Sequence, residues 1–209
     1  MKKKILFYTG SRADYGLLKP LIFKFKKDKN LRTLIIAGSH HFKKSLGSTF
    51  KEISRDKIKI DYKSSVKIKK TSFKEISKYC GHCLIENSDI LKKSNPDLII
   101  LLGDRYEVFS FCIAAFFFQI PIVHLHGGEK TDGAFDDSLR HSISKLSNFH
   151  FVSHSDYKKR LVQLGEDPKK IFNFGALGIE NIKKAKLMSK SNLFKKLEIP
   201  LNKKKILAT

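Results

Sequence analysis

Short apolar runs alternate with longer mixed segments along most of this 209-residue chain. The apolar runs end at glycine or polar residues, which is typical of buried strands. The segments between them carry apolar side chains three and four positions apart, as amphipathic helices do. The predicted strands cover residues 5–9, 34–37, 58–62, 98–102, 121–125, 149–152 and 171–174. The predicted helices cover residues 17–27, 72–93, 107–118, 137–146 and 156–164.

This alternation predicts βαβ units, and so an α/β fold with a doubly wound, mainly parallel, Rossmann-like sheet. The run 58–62 alternates apolar and polar residues, so we expect it at an edge of the sheet. Parallel sheets bind their ligands at the carboxyl ends of the strands. The residues that follow each strand are therefore the candidates for function.

Composition and charge limit the kinds of partner that the chain is expected to bind. The formal charge is +22, with 42 basic and 20 acidic residues, but the lysines are spread along the whole chain. No basic arm, zinc pattern or helix-turn-helix pattern accompanies them, so we expect no nucleic-acid partner. The longest apolar stretch, 108–125, is broken by polar residues and a proline, so we expect no membrane span. Three cysteines and the lack of a secretory signal favour the cytoplasm.

The segment after the first predicted strand is suited to an anion. Gly10 allows a tight turn, the next helix would direct its free N–H groups at the strand end, and Arg12 adds a forked cation that suits phosphate. The segment is not GxGxxG, so a dinucleotide fingerprint is absent. The alternative is an ordinary glycine turn with a surface arginine. After the second strand, His40 is a candidate to face a ligand, and His40 and His41 as plain loop residues are the alternative.

An acidic residue and a basic residue follow the strand 98–102. Asp104 lies in the crevice by topology, and Arg105 could hold it ionised or bind phosphate itself. Asp104 could instead cap the following helix.

Two histidines and two glycines surround the end of the strand 121–125. His124 and His126 are two positions apart, so one could be packed while the other faces the cleft. Gly127 and Gly128 let the backbone approach a ligand closely. A histidine and a carboxylate near the acid of the neighbouring strand form a plausible general acid/base group. A metal site built from His124, His126 and Glu129 is a weaker alternative, because no HxxxH helix or cysteine cluster supports it.

A dense polar cluster opens the next predicted helix. Asp136 and Asp137 are adjacent carboxylates, and Arg140 and His141 follow one turn later. The alternative is a helix cap with a surface ion pair.

The segment Cys80-Gly81-His82-Cys83 has the CxxC spacing of thiol–disulfide oxidoreductases. That chemistry needs the first cysteine at a helix start directly after a strand. Cys80 falls well inside the predicted helix 72–93, so we interpret both residues as buried or half-buried helix cysteines.

The order of four motifs closely resembles the hydrolysing UDP-N-acetylglucosamine 2-epimerases. The motifs are GSRADYG (10–16), GDRYE (103–107), HGGE (126–129) and DDSLRH (136–141). The resemblance covers residues 4–180, and each motif follows a predicted strand.

The resemblance implies a reaction and a set of site residues. UDP would be eliminated across carbons 1 and 2 of UDP-N-acetylglucosamine to give a glycal, and water would add to release N-acetylmannosamine for sialic or related nonulosonic acid synthesis. It implies no NAD, no other cofactor, no obligatory metal and a homo-oligomer formed through the N-terminal domain. The residues to which it gives catalytic roles are Asp104, His126, Glu129, Asp136 and Asp137. The residues to which it gives substrate contacts are Gly10, Arg12, Asp14, His40, Arg105, Gly127, Gly128, Arg140 and His141. Some relatives carry Glu at the position of His126, so that catalytic role passes to His126 or Glu129, or reflects another sugar.

The resemblance also implies a division of the chain and three other functions on the same scaffold. It predicts an N-terminal domain of a glycosyltransferase-B-like fold over residues 1–178, a connection over 179–202 and the start of a second nucleotide-binding domain over 203–209. We therefore expect the 209-residue chain to be inactive alone. The alternatives are the same reaction on a 2,4-diacetamido-2,4,6-trideoxy sugar nucleotide, a non-hydrolysing epimerase and a glycosyltransferase.

Overall fold

The computed structural model describes residues 2–67, 72–131, 135–185 and 187–200. Its described part contains one sheet of seven parallel strands, in the order β3-β2-β1-β4-β5-β6-β7. The strands are β1 (Lys3–Thr9), β2 (Leu31–Ala37), β3 (Tyr62–Lys63), β4 (Leu98–Leu102), β5 (Ile122–Leu125), β6 (Phe149–Val152) and β7 (Ile171–Asn173). The doubly wound, parallel α/β fold predicted from the sequence is confirmed.

Helices cover both faces of the sheet. They are α1 (Arg12–Lys27), α2 (Phe50–Arg55), α3 (Phe73–Ser94), α4 (Tyr106–Phe117), α5 (Asp136–Lys145), α6 (Ser155–Gln163), α7 (Leu177–Lys184) and α8 (Lys190–Lys196). On one face, α3, α4 and α5 pack against the sheet in a single apolar cluster. On the other face, side chains of α1, α2 and α7 join a second cluster. Because the strands are buried on both faces, they read as continuous apolar runs in the sequence. No helix among the described residues is long and apolar enough to cross a membrane.

The third strand is shorter than the predicted run 58–62. Only Tyr62 and Lys63 pair with β2. Just before them the side chain of Asp61 accepts a hydrogen bond from the Ile35 N–H at 3.0 Å, so a carboxylate takes the place of a backbone carbonyl. Ile58 lies in the core below a loop. Its apolar character therefore reflects packing and not a strand, which is why the alternation was misleading.

The first helix begins five residues earlier than the predicted range 17–27. It starts at Arg12 because the Asp14 carboxylate accepts hydrogen bonds from the N–H groups of Gly10 at 3.0 Å and Ser11 at 2.8 Å. The apolar period becomes regular only after this turn, so periodicity alone missed it.

His41, which the sequence placed in a loop, lies in a 3-10 turn and is fully buried between the hydroxyls of Thr9 and Thr49, each 3.0 Å away.

The last described helices follow β7 and fall partly in the predicted connection 179–202. Helix α7 lies against α1, where the Asn181 side-chain amide donates to the Gly16 carbonyl at 2.8 Å. Helix α8 follows after a short extended segment. The predicted second-domain start, 203–209, lies outside the described residues, so this division of the chain stays a prediction.

A buried histidine fastens β5 to its neighbours. His124 is fully buried, with Nε2 2.8 Å from the Gly103 carbonyl and Nδ1 3.0 Å from the Ser144 hydroxyl of α5. Burial lowers the pKa of His124 from 6.5 to about 4, because the charged imidazolium would lose its hydration. The folded protein therefore holds His124 neutral at pH values where the unfolded chain protonates it.

We expect this histidine to make the fold sensitive to acid. Because the folded-state pKa lies below the unfolded value, stability is full above the unfolded pKa and is lost as the pH falls towards 4. As the pH falls from about 7 to about 5, burial of the neutral His124 should lower the free energy of unfolding by about 2 kcal/mol. Urea titrations of His124→Gln at both pH values should show a smaller loss than the wild type by about that amount. His154→Gln, at an exposed histidine, is the control and should leave the loss unchanged. Equal losses in the His124→Gln variant and the wild type would contradict this account.

Candidate active site

The sheet has a topological switch point between β1 and β4. The chain continues from β1 to β2 on one side, whereas β4 lies on the other side of β1. In open parallel sheets, the strand ends at such a point border the ligand crevice. Gly10 follows β1, Asp104 follows β4 and His126 follows β5. The structure therefore places these candidates along one edge of the sheet.

Arg140 brings several candidates into contact. Its buried guanidinium pairs directly with the Asp104 carboxylate through Nη2, and Nη1 lies 3.5 Å from Asp137 Oδ1. Nη1 also donates to the Glu129 carbonyl at 2.9 Å, and Nη2 to the Thr131 hydroxyl at 3.0 Å. We call these five residues the Arg140 cluster. It connects the loops after β4 and β5 to helix α5. Its two carboxylates, Asp104 and Asp137, both contact the Arg140 guanidinium.

Asp104 pairs with a different arginine from the one that the sequence suggested. Arg105 was a candidate to hold Asp104 ionised, but the structure gives that contact to Arg140. Arg105 instead pairs through Nε with Glu107 Oε1 at 2.5 Å. Arg105 therefore remains available for its other predicted role, a contact with the anionic part of a ligand.

His126 is oriented by a carboxylate. Its Nδ1 lies 2.8 Å from Glu129 Oε1, which also accepts from the Ser153 hydroxyl at 2.8 Å. Burial opposes the charged form of Glu129, but the hydrogen bonds from His126 and Ser153 outweigh it and lower the pKa of this carboxyl. An ionised Glu129 is best matched by a proton on Nδ1, and in the neutral ring the lone pair then lies on Nε2. Nε2 is buried and has no hydrogen-bond partner among the described residues.

His124 of β5 and His126 just after it divide as the sequence suggested, one packed and one at the candidate site. Both ring nitrogens of His124 are occupied by Gly103 and Ser144, so His124 cannot ligate a metal beside His126 and Glu129. Within the described ranges, no group of three histidine, cysteine or acidic side chains could hold a metal ion.

The glycines after β5 are packed against helices. A Cβ atom on Gly127 would lie 2.9 Å from the Ser144 hydroxyl, and one on Gly128 only 2.5 Å from the Tyr157 carbonyl. Gly128 also has a φ of +74°, which L side chains rarely adopt. Close helix packing, which the sequence did not reveal, thus accounts for both glycines. Their predicted contact with substrate stays a prediction.

The other acid/base candidates lie at the start of α5. Asp136 and Asp137 form its first turn, and His141 Nε2 lies 3.5 Å from Asp137 Oδ2. His141 Nδ1 is buried and has no hydrogen-bond partner in the described part of the chain. Residues 132–134, just before this helix, lie outside the described residues.

A second ionic group surrounds Glu107, which the sequence analysis did not select. Glu107 is 0% exposed, and its Oε1 lies 2.5 Å from Arg105 Nε and 3.3 Å from His40 Nδ1. Burial opposes the charged form, but His40 and Arg105 outweigh it and lower the pKa of Glu107. Asp14 lies beside this group, and burial raises its pKa. We call Glu107, Arg105, His40, Asp14 and Gly10 the Glu107 cluster. The available signal was that Glu107 is the one charged residue in α4.

Arg12 is more peripheral than the motif suggested. Its side chain is 72% exposed and its Nε pairs with Glu52 Oε1 of α2 at 2.8 Å. Its predicted contact with the nucleotide therefore stays a prediction.

The CxxC cysteines carry no signature of redox activity. Cys80 and Cys83 lie in the middle of α3, and neither is at a helix start. Burial raises the pKa of Cys80 and raises that of Cys83 to about 12, so both are held as thiols.

Comparison with known proteins shows which family the chain resembles. A family model described as UDP-N-acetylglucosamine 2-epimerase matches residues 24–209. The chain is 41% identical, over 100% of its length and 54% of the relative, to GDP/UDP-N,N'-diacetylbacillosamine 2-epimerase (hydrolyzing) of Campylobacter jejuni. It is 39% identical to polysialic acid biosynthesis protein P7 of Escherichia coli, over 91% of the chain and 49% of that protein. The chain thus spans about half the length of the curated relatives it matches.

The fold agrees with solved structures. The crystal structure of UDP-GlcNAc 2-epimerase from Neisseria meningitidis bound to UDP-GlcNAc superposes with a TM-score of 0.73 at 21% identity. The match covers 95% of this chain and 52% of that structure. The similarity at this identity concerns the fold of the chain.

We expect Gly128→Ala to unfold the region that carries the site. The added methyl would meet the Tyr157 backbone, and an alanine would be strained at this left-handed φ. The free energy of unfolding should therefore fall by about 2 to 3 kcal/mol. Gly16→Ala is the matched control, because no atom lies within 4 Å of its added Cβ inside helix α1. It should stabilise the protein by about 0.5–1 kcal/mol. Urea unfolding measures both, and equal stabilities of the two variants would refute the packing argument.

Proposed function

Because the chain belongs to the UDP-N-acetylglucosamine 2-epimerase family, we propose that it forms the N-terminal half of a hydrolysing 2-epimerase of UDP-linked 2-acetamido sugars. The observation that carries the proposal is the Arg140 cluster, in which Asp104 and Asp137 meet on one buried guanidinium at the ligand edge of the sheet. Inversion at carbon 2 requires positioned acid/base groups, and this cluster supplies carboxylates whose geometry is fixed.

The reaction has two steps with different demands. In the first, a base removes the proton of carbon 2, the C1–O bond to UDP breaks with its electron pair, and a C1=C2 double bond forms. In the second, water adds its hydroxyl to C1, and a proton is delivered to the opposite face of C2. Removal from one face and delivery to the other call for two acid/base groups.

We assign these two groups to the carboxylates of the Arg140 cluster, with Asp136 beside them, and to His126. Glu129 and Ser153 fix the His126 ring, so that its Nε2 is the atom available for proton transfer. The loops after β1 and β4, with Gly10, Arg12 and Arg105, face the departing diphosphate in this proposal. No NAD or metal takes part in these steps, and the proposed location is the cytoplasm.

UDP-N-acetylglucosamine is the first candidate donor, with N-acetylmannosamine for sialic or related nonulosonic acid synthesis as the product. A 2,4-diacetamido-2,4,6-trideoxy sugar nucleotide is the second candidate. The 41% identity to a relative named for diacetylbacillosamine favours this second donor. Both donors undergo the same bond changes at carbons 1 and 2.

The first test follows the reaction in deuterated water by proton NMR, with the longest polypeptide that the gene encodes. We expect release of UDP and of a free sugar that carries deuterium at carbon 2. A UDP-linked epimer without free sugar would instead support the non-hydrolysing epimerase. Sugar transfer to an acceptor would support the glycosyltransferase. The 209-residue chain is expected to show no turnover, because it spans about half of its relatives.

Asp104→Asn should abolish most of the turnover. The amide keeps the shape but can neither carry the charge that pairs with Arg140 nor transfer a proton, so kcat should fall about 100- to 10,000-fold. Asp156→Asn removes an exposed ion pair with Lys159 and should leave kcat unchanged. A wild-type kcat for Asp104→Asn would remove this residue from the acid/base machinery.

We also propose that two copies of the chain associate through the outer face of α3 and α4. Phe116, Phe117 and Phe118 at the end of α4 are 49%, 74% and 41% exposed, and Ile85 of α3 is 66% exposed. Helix α4 lies in a segment without lysine, 94–129, whereas α3 carries four lysines. Two molecules of charge +22 repel each other over most of their surface, so the exposed apolar surface centred on the end of α4 is the place where they can meet.

Phe117→Lys should convert this dimer to a monomer in size-exclusion chromatography with light scattering. The added charge would be buried against its own copy and left unpaired. Ile182→Lys, at an exposed apolar side chain of α7, is the matched control and should remain dimeric. A wild type that is monomeric at all concentrations would disprove the association.

A further inference from the structure

Glu107 lies at the topological switch point and contacts three strand-end loops. Its Oε1 meets Arg105 after β4 and His40 after β2. A Cβ atom on Gly10, after β1, would lie 3.1 Å from the same oxygen. One buried carboxylate therefore lies between all three loops that border the crevice on this side.

The cost of burying this carboxylate indicates a positioning role. An ionised carboxylate without exposure is unfavourable unless cations pair with it. Glu107 has Arg105 and His40 as partners at Oε1, but its Oε2 is buried without any partner among the described residues. Packing alone would be served better by an apolar residue, as at every other buried position of α4 except Ser110. The arrangement instead fixes two cationic or proton-donating side chains.

The groups that Glu107 fixes are suited to an anion. Its contact with Nε constrains the Arg105 side chain, and Nη2 lies 3.4 Å from His40 Nδ1, so the guanidinium and the imidazole are adjacent. The Arg105 side chain is 37% exposed, so a ligand can reach it. A guanidinium with a fixed orientation loses less conformational entropy when it binds phosphate oxygens.

We propose that Glu107 is a positioning residue that holds Arg105 and His40 in place as a recognition pair for the diphosphate of the sugar nucleotide. This role rests on the proposed function for the identity of the ligand, whereas the positioning itself can be observed without any ligand. Glu107 acts through its two partners and does not touch the reacting atoms.

The chain offers a matched control for this role. Glu166 is also a mostly buried carboxylate, and it pairs with one histidine and one cation: His150 Nε2 at 3.1 Å and Lys145 Nζ at 2.6 Å. Its partners belong to β6 and to the end of α5, whereas the Glu107 cluster lies at the ends of β1, β2 and β4, on the other side of β5 in the strand order. Glu166→Gln should therefore cost stability in the same manner as Glu107→Gln without affecting the proposed recognition pair.

The first measurement uses nitrogen-15 NMR of the unliganded protein. The Arg105 Nε–H resonance should shift and exchange faster with water in Glu107→Gln, and the His40 ring resonances should shift with it. Neither signal should move in Glu166→Gln. Unchanged Arg105 and His40 signals in Glu107→Gln would overturn the positioning role, and this readout does not depend on turnover.

The second measurement is binding of inorganic pyrophosphate and of UDP by calorimetry. Glu107→Gln should weaken both about tenfold or more, and Glu166→Gln should leave both unchanged. Equal weakening by the two variants would overturn the proposal, because it would show a general effect of lost stability. If Glu107→Gln shifts the NMR signals and weakens pyrophosphate while no sugar nucleotide is turned over by the wild type, the proposed function fails and the positioning role stands.

A double variant covers the case in which Glu107→Gln does not fold. Removing both partners of a buried ion pair is tolerated better than removing one. The double variant Arg105→Ala/Glu107→Gln should therefore be more stable than Arg105→Ala, in which only His40 is left to pair with Glu107. Adding Glu107→Gln to Arg105→Ala should weaken pyrophosphate binding clearly less than tenfold, because only His40 is left for Glu107 to position. A tenfold or greater further weakening would show that Glu107 acts without Arg105 and would overturn the proposal.

Discussion

The ion pair between Arg140 and Asp104 is the contact on which the geometry of the candidate site depends. A buried guanidinium must be paired, and here its partners come from the ends of β4 and β5 and from α5 itself. The same guanidinium that satisfies Asp104 also fixes the backbone at Glu129. The Glu129 carboxylate then orients His126. The acid, the histidine and the helix that carries Asp136 and Asp137 are therefore held as one unit.

Much of the fold could be predicted, since buried parallel strands and amphipathic helices leave clear patterns. The strands 98–102 and 149–152 have the bounds that the sequence indicated. The failures occur where a side chain replaces a backbone partner. Asp61 supplies the oxygen that a longer β3 would have provided, and Asp14 closes the turn before the period of α1 becomes regular. Such hydrogen bonds depend on three-dimensional proximity and leave no periodic trace.

The residues of the candidate site could be predicted from the sequence, but the ion pairs that they form could not. Topology places residues after strands at one edge, so Asp104, His126 and Arg140 could be selected from the sequence. The partner of each charge depends on side-chain direction, which adjacent residues do not share. Arg105 therefore turns to Glu107, and Asp104 turns to Arg140. Glu107 was missed because it precedes a run of apolar residues and resembles an ordinary acidic helix start.

The distribution of the two basic residue types supports a division of labour in the crevice. Lysines dominate the surface, whereas Arg105 and Arg140 hold the two buried ionic clusters, and Arg160 donates to the Gly128 carbonyl. A planar guanidinium can hold several oxygens in fixed directions, which a lysine ammonium cannot. The Arg140 cluster offers carboxylates and so suits proton transfer, whereas the Glu107 cluster uses its carboxylate internally and leaves donors for an anion. A sugar nucleotide presents these two needs side by side, with an acidic carbon next to a departing diphosphate. Two ionic clusters of different type on one edge of the sheet therefore match the two ends of the bond that the proposed reaction breaks.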